Sequence, residues 1–179
     1  MDSQEFLRHV AILNRDDTIA WPDGLSTFSG VATNGCFDVI HAGHVRLLAL
    51  AASFGNVVVG LNSDASVSRL KGRRRPIHSF GERKAVLESI RHVSCVVEID
   101  DAADWLASLS PKLYIKGPEV LGMLRLGFAP SVCIPGAVDV LRAGGSVLLP
   151  DWDVTTSTTK IIAAMQRGTD RERKKEVND

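Results

Sequence analysis

The chain has 179 residues, of which 45% are hydrophobic and 23% charged. That length and composition fit one ordinary globular domain and exclude disordered and fibrous classes. The 21 Lys and Arg balance the 21 Asp and Glu, so no global attraction to nucleic acid or to an anionic membrane is expected.

Met1-Asp2-Ser3-Gln4-Glu5 opens the chain with acid and no apolar stretch, unlike a signal peptide. Residues 3–13 predict a helix capped by a Ser, followed by a polar connection from Asn14 to about Ser29. Types then alternate. A strand is predicted over Gly30–Thr33, a helix over Gly43–Ser53, a buried strand over Val57–Leu61 and a short helix from Asp64 to Leu70. Glu82–His92 carries Val86, Leu87, Ile90 and Val93 at helical spacing. Cys95–Ile99 predicts a strand, Ala102–Leu109 a helix and Leu113–Lys116 a strand. Val132–Ile134 and Ser146–Leu149 predict two more strands, and Thr158–Gln166 a last helix. The longest apolar runs, Leu47–Ala52 and Val57–Leu61, fall far short of the ~20 residues that span a bilayer. Continuous apolar strands between amphipathic helices predict a doubly wound, Rossmann-like α/β fold: a parallel sheet with helices on both faces. The organisation expected is an N-terminal helix and connection over 1–29, the α/β domain over 30–167 and a polar, solvated tail over 168–179. Cys36, Cys95 and Cys133 are odd in number and widely spaced, which fits reduced thiols in a cytoplasmic protein.

Ligands of such sheets bind beyond the carboxyl ends of the strands, so the first strand-to-helix turn is informative. A P-loop needs Lys-Ser/Thr after its second glycine, but Gly35 is followed by Cys36. The glycines at 30, 35 and 43 do not make a dinucleotide fingerprint either. What remains is His41-x-Gly43-His44 opening a helix. Residues three apart share a helical face, Gly43 leaves that face bare, and the helix N-terminus adds free N–H groups and partial positive charge. Two imidazoles and amide donors at one point suit the charge of a phosphoryl transition state. A metal reading of the pair lacks further ligands, since His9, His78 and His92 are scattered along the chain.

Asn34-Gly35-Cys36-Phe37-Asp38 followed by His41-x-Gly43-His44 resembles the signature of the HxGH nucleotidyltransferase, or cytidylyltransferase-like, superfamily. Gly60-Leu61-Asn62-Ser63-Asp64, Arg69-Leu70-Lys71-Gly72, Arg75-Pro76-Ile77 and Ser157-Thr158-Thr159 are similar to the adenylyltransferase domain of bacterial ADP-heptose synthases. The likeness runs from about residue 30 to 167, and the helix at 82–91 is also similar to glycerol-3-phosphate cytidylyltransferase. The resemblance implies that His41, His44 and Lys71 are catalytic, with Lys71 reaching the triphosphate. It implies nucleotide contacts from Asn34, Gly35, Cys36, Phe37, Gly43, Arg83, Lys116, Gly117, Ser157, Thr158 and Thr159. It sets Asp38 and Asp64 near the substrate. Arg73 and Arg74 read as a solvated face. Thr155 and Thr156 extend a run of hydroxyls longer than one helix cap uses.

The sequence departs from the family at Lys116-Gly117-Pro118-Glu119, where Lys-Gly-Gly-Asp is usual: Pro118 removes a backbone donor and Glu119 is longer than Asp. Val120–Gly136 is also longer than its family counterpart and apolar, which points to a lid or an oligomer contact. The reaction implied is transfer of AMP from ATP to a sugar phosphate resembling heptose 1-phosphate, releasing pyrophosphate, with Mg²⁺ as cofactor and no protein metal centre. Trp152-Asp153-Val154-Thr155 stands where cytidylyltransferases carry Arg-Thr-x-Gly, which argues against CTP. Two alternatives stay open: a CTP-dependent cytidylyltransferase for a polyol phosphate, and a non-catalytic nucleotide-binding module. A homodimer is expected, with neither nucleic acid nor membrane as partner.

Overall fold

A computed structural model describes residues 1–14, 19–20, 30–153 and 157–176. Among the described residues seven strands make one sheet: β1 (Ala11–Leu13), β2 (Ile19–Ala20), β3 (Val31–Gly35), β4 (Val57–Asn62), β5 (Cys95–Ile99), β6 (Leu113–Ile115) and β7 (Ser146–Pro150). Their order is β2-β1-β7-β6-β3-β4-β5. All neighbours run parallel except β2, which pairs antiparallel with β1 at the edge. The helices are α1 (Ser3–Leu7), α2 (Ala42–Ala52), α3 (Asp64–Lys71), α4 (Phe80–Glu88), α5 (Ala102–Leu109), α6 (Pro118–Arg125), α7 (Pro130–Cys133), α8 (Ala137–Arg142) and α9 (Thr158–Glu176).

Side chains alternate across each strand, and here both faces are buried. Val31, Val57, Val59, Leu61, Leu113, Ile115 and Leu148 pack with Leu47, Leu48 and Ala51 of α2 and Leu87 of α4. Ala32, Tyr114, Val147 and Leu149 pack on the other face with Trp105 and Leu106 of α5, Leu121 and Leu124 of α6, and Val140 of α8. This is the doubly wound parallel sheet read from the apolar runs. From β3 the chain steps to β4 and β5 on one side, then returns to set β6 on the other. The crevice at this reversal, between the carboxyl ends of β3 and β6, is where such folds bind ligands.

Several expected elements are revised. The helix over 3–13 ends at Leu7, its N-terminus is capped by Asp2, which accepts from the Glu5 N–H, and residues 11–13 form β1 instead. Parallel pairing of Ala11–Leu13 with Leu148–Pro150 outweighs local helical spacing, so the sheet begins well before residue 30. The helix expected over 82–92 spans Phe80–Glu88, started early by a capping box between Ser79 and Glu82. The strand expected at Val132–Ile134 is replaced by α7, with Pro130 in its first turn. The long apolar segment is neither loop nor lid. It folds as α6 and α7, burying Val120, Leu121, Leu124, Cys133 and Ile134 in the core. Helix α9, expected to end at Gln166, runs to Glu176.

Candidate active site

The β3 carboxyl end runs into residues 36–41, and α2 follows. His41 is the N-cap of α2 in extended conformation, with no side-chain capping bond. Its ring is therefore free to lie against that of His44, the two stacked at 3.8 Å between centroids and 24° between planes. The Phe37 ring abuts His44 at 5.0 Å. Phe37 is buried at φ 44°, and the position a Gly35 Cβ would take lies 3.2 Å from its ring. Gly35 thus leaves room for the ring that backs the second imidazole.

Nδ1 of His41 and Nδ1 of His44 are both enclosed and without a hydrogen-bond partner among the described residues. Burial lowers the pKa of each ring. For His44, burial and then the charge of His41 bring it to about 4. For His41 the charge of Glu119 opposes the fall. Two neutral, stacked imidazoles with unmet polar atoms are thereby held at the start of a helix. An unmet buried polar atom is costly unless a ligand or water supplies the bond.

The β6 end forms the facing wall. The Lys116 ammonium donates to the Asn34 carbonyl at 2.8 Å and to Asn34 Oδ1 at 2.7 Å, and the Tyr114 hydroxyl donates to the same Oδ1 at 2.6 Å. Burial lowers the Lys116 pKa to about 8, with Glu119 and Cys36 opposing and Lys71 reinforcing. Burial raises the Tyr114 pKa, so its hydroxyl keeps its proton to donate. Gly117 is buried at the N-cap of α6, and the Glu119 carboxylate folds back against its α-carbon. Pro118 occupies the first helical turn, where its missing N–H removes no helix bond. The Lys-Gly-Pro-Glu departure is therefore an ordinary helix start that brings a carboxylate to the crevice.

Cys36 is half-buried, and its thiol pKa is raised by burial against the opposing charges of Lys71, Lys116, Arg83 and Arg75. Lys71 is exposed at the last turn of α3, yet its charge reaches both Cys36 and Lys116. On the remaining side, Ser157 caps α9 by accepting the Lys160 N–H at 3.3 Å. The Thr158 hydroxyl donates to the Val39 carbonyl at 3.1 Å. This ties the hydroxyl segment to the loop carrying the His pair. Thr159 is exposed. Thr155 and Thr156 lie outside the described residues.

Three expected ligand contacts are turned inward. Asp38 is 3% exposed and accepts from the Ile77 N–H, the His78 N–H and the Arg75 guanidinium. Burial would raise its pKa, but these donors together hold it below the usual carboxylate range. Arg83 is 1% exposed and donates to the His78 carbonyl at 3.1 Å, the Cys36 carbonyl at 2.7 Å and Asp64 Oδ1 at 2.8 Å. Phe37 is core. Asp38 and Arg83 brace the loops flanking the crevice, and neither presents a free polar face to it. Asp64 is exposed at the head of α3 and held by Arg83. Gly43 is half-buried in the first turn of α2.

Arg75, Tyr114 and Glu119 were not singled out as site residues from the sequence, although each shapes the site. A buried Tyr in a strand beside Lys-Gly was the available signal for Tyr114, because a buried phenol needs a partner. The others depend on which loops meet. Among the described residues no three His, Cys, Asp or Glu side chains are grouped to hold a metal ion. No helix among them is long and apolar enough to cross a membrane.

Residues 32–126 match the cytidylyltransferase-like family, and the chain belongs to that family. It is 40% identical over 137 residues to the bifunctional protein HldE of Gluconacetobacter diazotrophicus, a match covering 75% of this chain and 26% of that protein. It is likewise 40% identical over 141 residues to the bifunctional protein HldE of Vibrio cholerae, covering 77% and 28%. The chain thus spans about a quarter of the length of these curated relatives. The crystal structure of the lipopolysaccharide core biosynthesis protein from Thermoplasma volcanium superposes with a TM-score of 0.54 at 18% identity, covering 71% of this chain and 98% of that one. That likeness is one of fold.

Proposed function

We propose that this protein transfers a nucleotidyl group from a nucleoside triphosphate to a sugar phosphate, with ATP as the donor and a heptose 1-phosphate-like acceptor. The observation that carries the reading is the stacked His41–His44 pair at the head of α2, its Nδ1 atoms unmet. An acceptor phosphate oxygen attacks the α-phosphorus in line. The new P–O bond forms as the bond to the β-phosphate oxygen breaks, and its electron pair leaves with pyrophosphate. The acceptor is already ionised near neutral pH, so no general base is required. Catalysis is positioning and charge stabilisation.

In this reading His41 and His44 donate to the reacting phosphates once the polyanion restores their protons. The free N–H groups of α2 add to them. Lys71 reaches the departing pyrophosphate, and Ser157, Thr158 and Thr159 with the head of α9 hold its far end. Lys116 fixes Asn34 and so the β3 end of the crevice. Arg83 and Asp38 act as positioning residues for loops 36–41 and 75–78. The resemblance implies Mg²⁺ bound with the triphosphate, an ion that would need few ligands from the protein. Glu119, whose charge acts on His41, is the carboxylate available to meet it. Mg²⁺ would supply charge neutralisation on the triphosphate. A cytoplasmic homodimer fits the reading, with Leu126, Phe128 and Val132 as exposed apolar residues for a second copy to cover.

The test is pyrophosphate release with ATP or CTP against a panel of sugar 1-phosphates and glycerol 3-phosphate. ATP with a heptose 1-phosphate should be fastest. Faster turnover with CTP and glycerol 3-phosphate would overturn the donor and acceptor assignment, and no release with any pair would leave a binding module.

A further inference from the structure

On either side of residues 154–156, the described residues between β7 and α9 contact other parts of the fold. The Asp151 N–H donates to the Leu13 carbonyl at 2.7 Å, and its carboxylate meets Arg125 at 3.0 Å. Trp152 packs half-buried against the core. Over its ring lies the Arg46 guanidinium, 4.2 Å from the centroid. Arg46 belongs to α2, the same helix that carries the imidazole pair. Among the described residues its guanidinium meets no carboxylate and makes no hydrogen bond, so the stacking on Trp152 is what orders it. Six residues after Trp152 the Thr158 hydroxyl donates to the Val39 carbonyl at 3.1 Å.

We propose that Arg46 and Trp152 form a clasp between the histidine helix and the hydroxyl segment, making both of them positioning residues for the triphosphate tail. The inference rests on the nucleotidyl-transfer reading above. Trp offers a cation the best ring face and Arg is the cation most often found there; the pair fixes orientation without using a phosphate ligand. With the clasp shut, the α9 head meets the ligand in a ready arrangement. Without the clasp, binding must first order Ser157–Thr159, which weakens affinity. The chemical step at the α-phosphorus is left as it was.

The test compares Arg46→Ala, Trp152→Leu, the double variant and Arg46→Lys in the full chain. KM for ATP should rise about threefold to fivefold in each single variant, the scale of one half-exposed cation–π pair. The kcat should stay within twofold. The double variant should be no worse than the worse single one, because both remove the same contact, and Arg46→Lys should recover part of the loss. Without ligand, amide exchange over residues 157–162 should quicken in both single variants. The clasp is overturned by unchanged KM beside an active wild type, by an effect confined to Arg46→Ala as a direct phosphate contact would give, by additive losses, or by unchanged exchange. Should wild type release no pyrophosphate from any triphosphate, it is the nucleotidyl-transfer reading that falls, and the exchange measurement alone decides the clasp.

Discussion

The imidazoles of His41 and His44 are neutral in the ligand-free fold because burial outweighs their ordinary affinity for protons. The sign of the consequence follows directly. Between the ordinary value of 6.5 and the folded value of about 4 for His44, the unfolded chain binds a proton that the folded chain does not. Stability is intact above that window and falls as pH drops through it. The thermal midpoint should therefore decline from about pH 6.5 downward, and His44→Gln should flatten the decline. A bound triphosphate reverses the balance by favouring imidazolium. Calorimetric titration of ATP at pH 6 in buffers of different ionisation heat should show net proton uptake, reduced in His44→Gln. Equal heats after buffer correction would argue against imidazole contact with phosphate. At this scale the sequence was partly legible. His41, His44, Asn34 and Lys116 do gather at one crevice, since a strand-end motif fixes where a turn sits. Asp38, Arg83 and Phe37 turn inward in this structure, a placement the sequence did not show because residue type does not say whether a side chain faces solvent or a neighbouring loop. Arg83 finds two carbonyls and Asp64 within its reach only after α3, α4 and residues 36–41 have met.

Among the elements, α5 emerged from its periodicity with the bounds expected, because Asp101 caps it and accepts from Ala103 and Asp104. The stretch that follows β6 did not. Its apolar residues serve α6, α7 and α8, and short helices joined by tight turns leave too few turns for a period to be read. The turn into α8 shows how closely this layer packs. Gly136 sits at φ +82°, and a Cβ there would lie 2.9 Å from the Ala103 α-carbon and 2.9 Å from a Leu106 methyl. A left-handed conformation costs an L-residue about 1–2 kcal/mol, and overpacking adds about 1–3 kcal/mol. Gly136→Ala should therefore lose about 2–5 kcal/mol in urea unfolding. A loss under about 0.5 kcal/mol would mean that α5 and α8 can part at little cost, contrary to this packing.

For the molecule as a whole, the largest revision is that the sheet does not begin at residue 30. Strand β1 lies beside β7, and Phe6 and Val10 are buried with the face that α6 and α8 cover. A chain starting at residue 30 would uncover the β7 edge and that apolar surface. It should be insoluble or molten where the full chain unfolds cooperatively, as circular dichroism and dye binding would report, and a cooperative fold of native stability would contradict the topology. Local helical spacing concealed β1, because the parallel pairing that sets its three residues into the sheet is with Leu148–Pro150, far along the chain. The claim on which the functional account rests is that the stacked imidazoles act on the α-phosphorus of a bound triphosphate. The most direct measurement is kcat for pyrophosphate release by His44→Ala, with ATP affinity and thermal midpoint measured in parallel. Loss of one transition-state donor predicts a kcat lowered about 10²–10³-fold with binding and folding retained, whereas a kcat near that of the wild type would contradict the account.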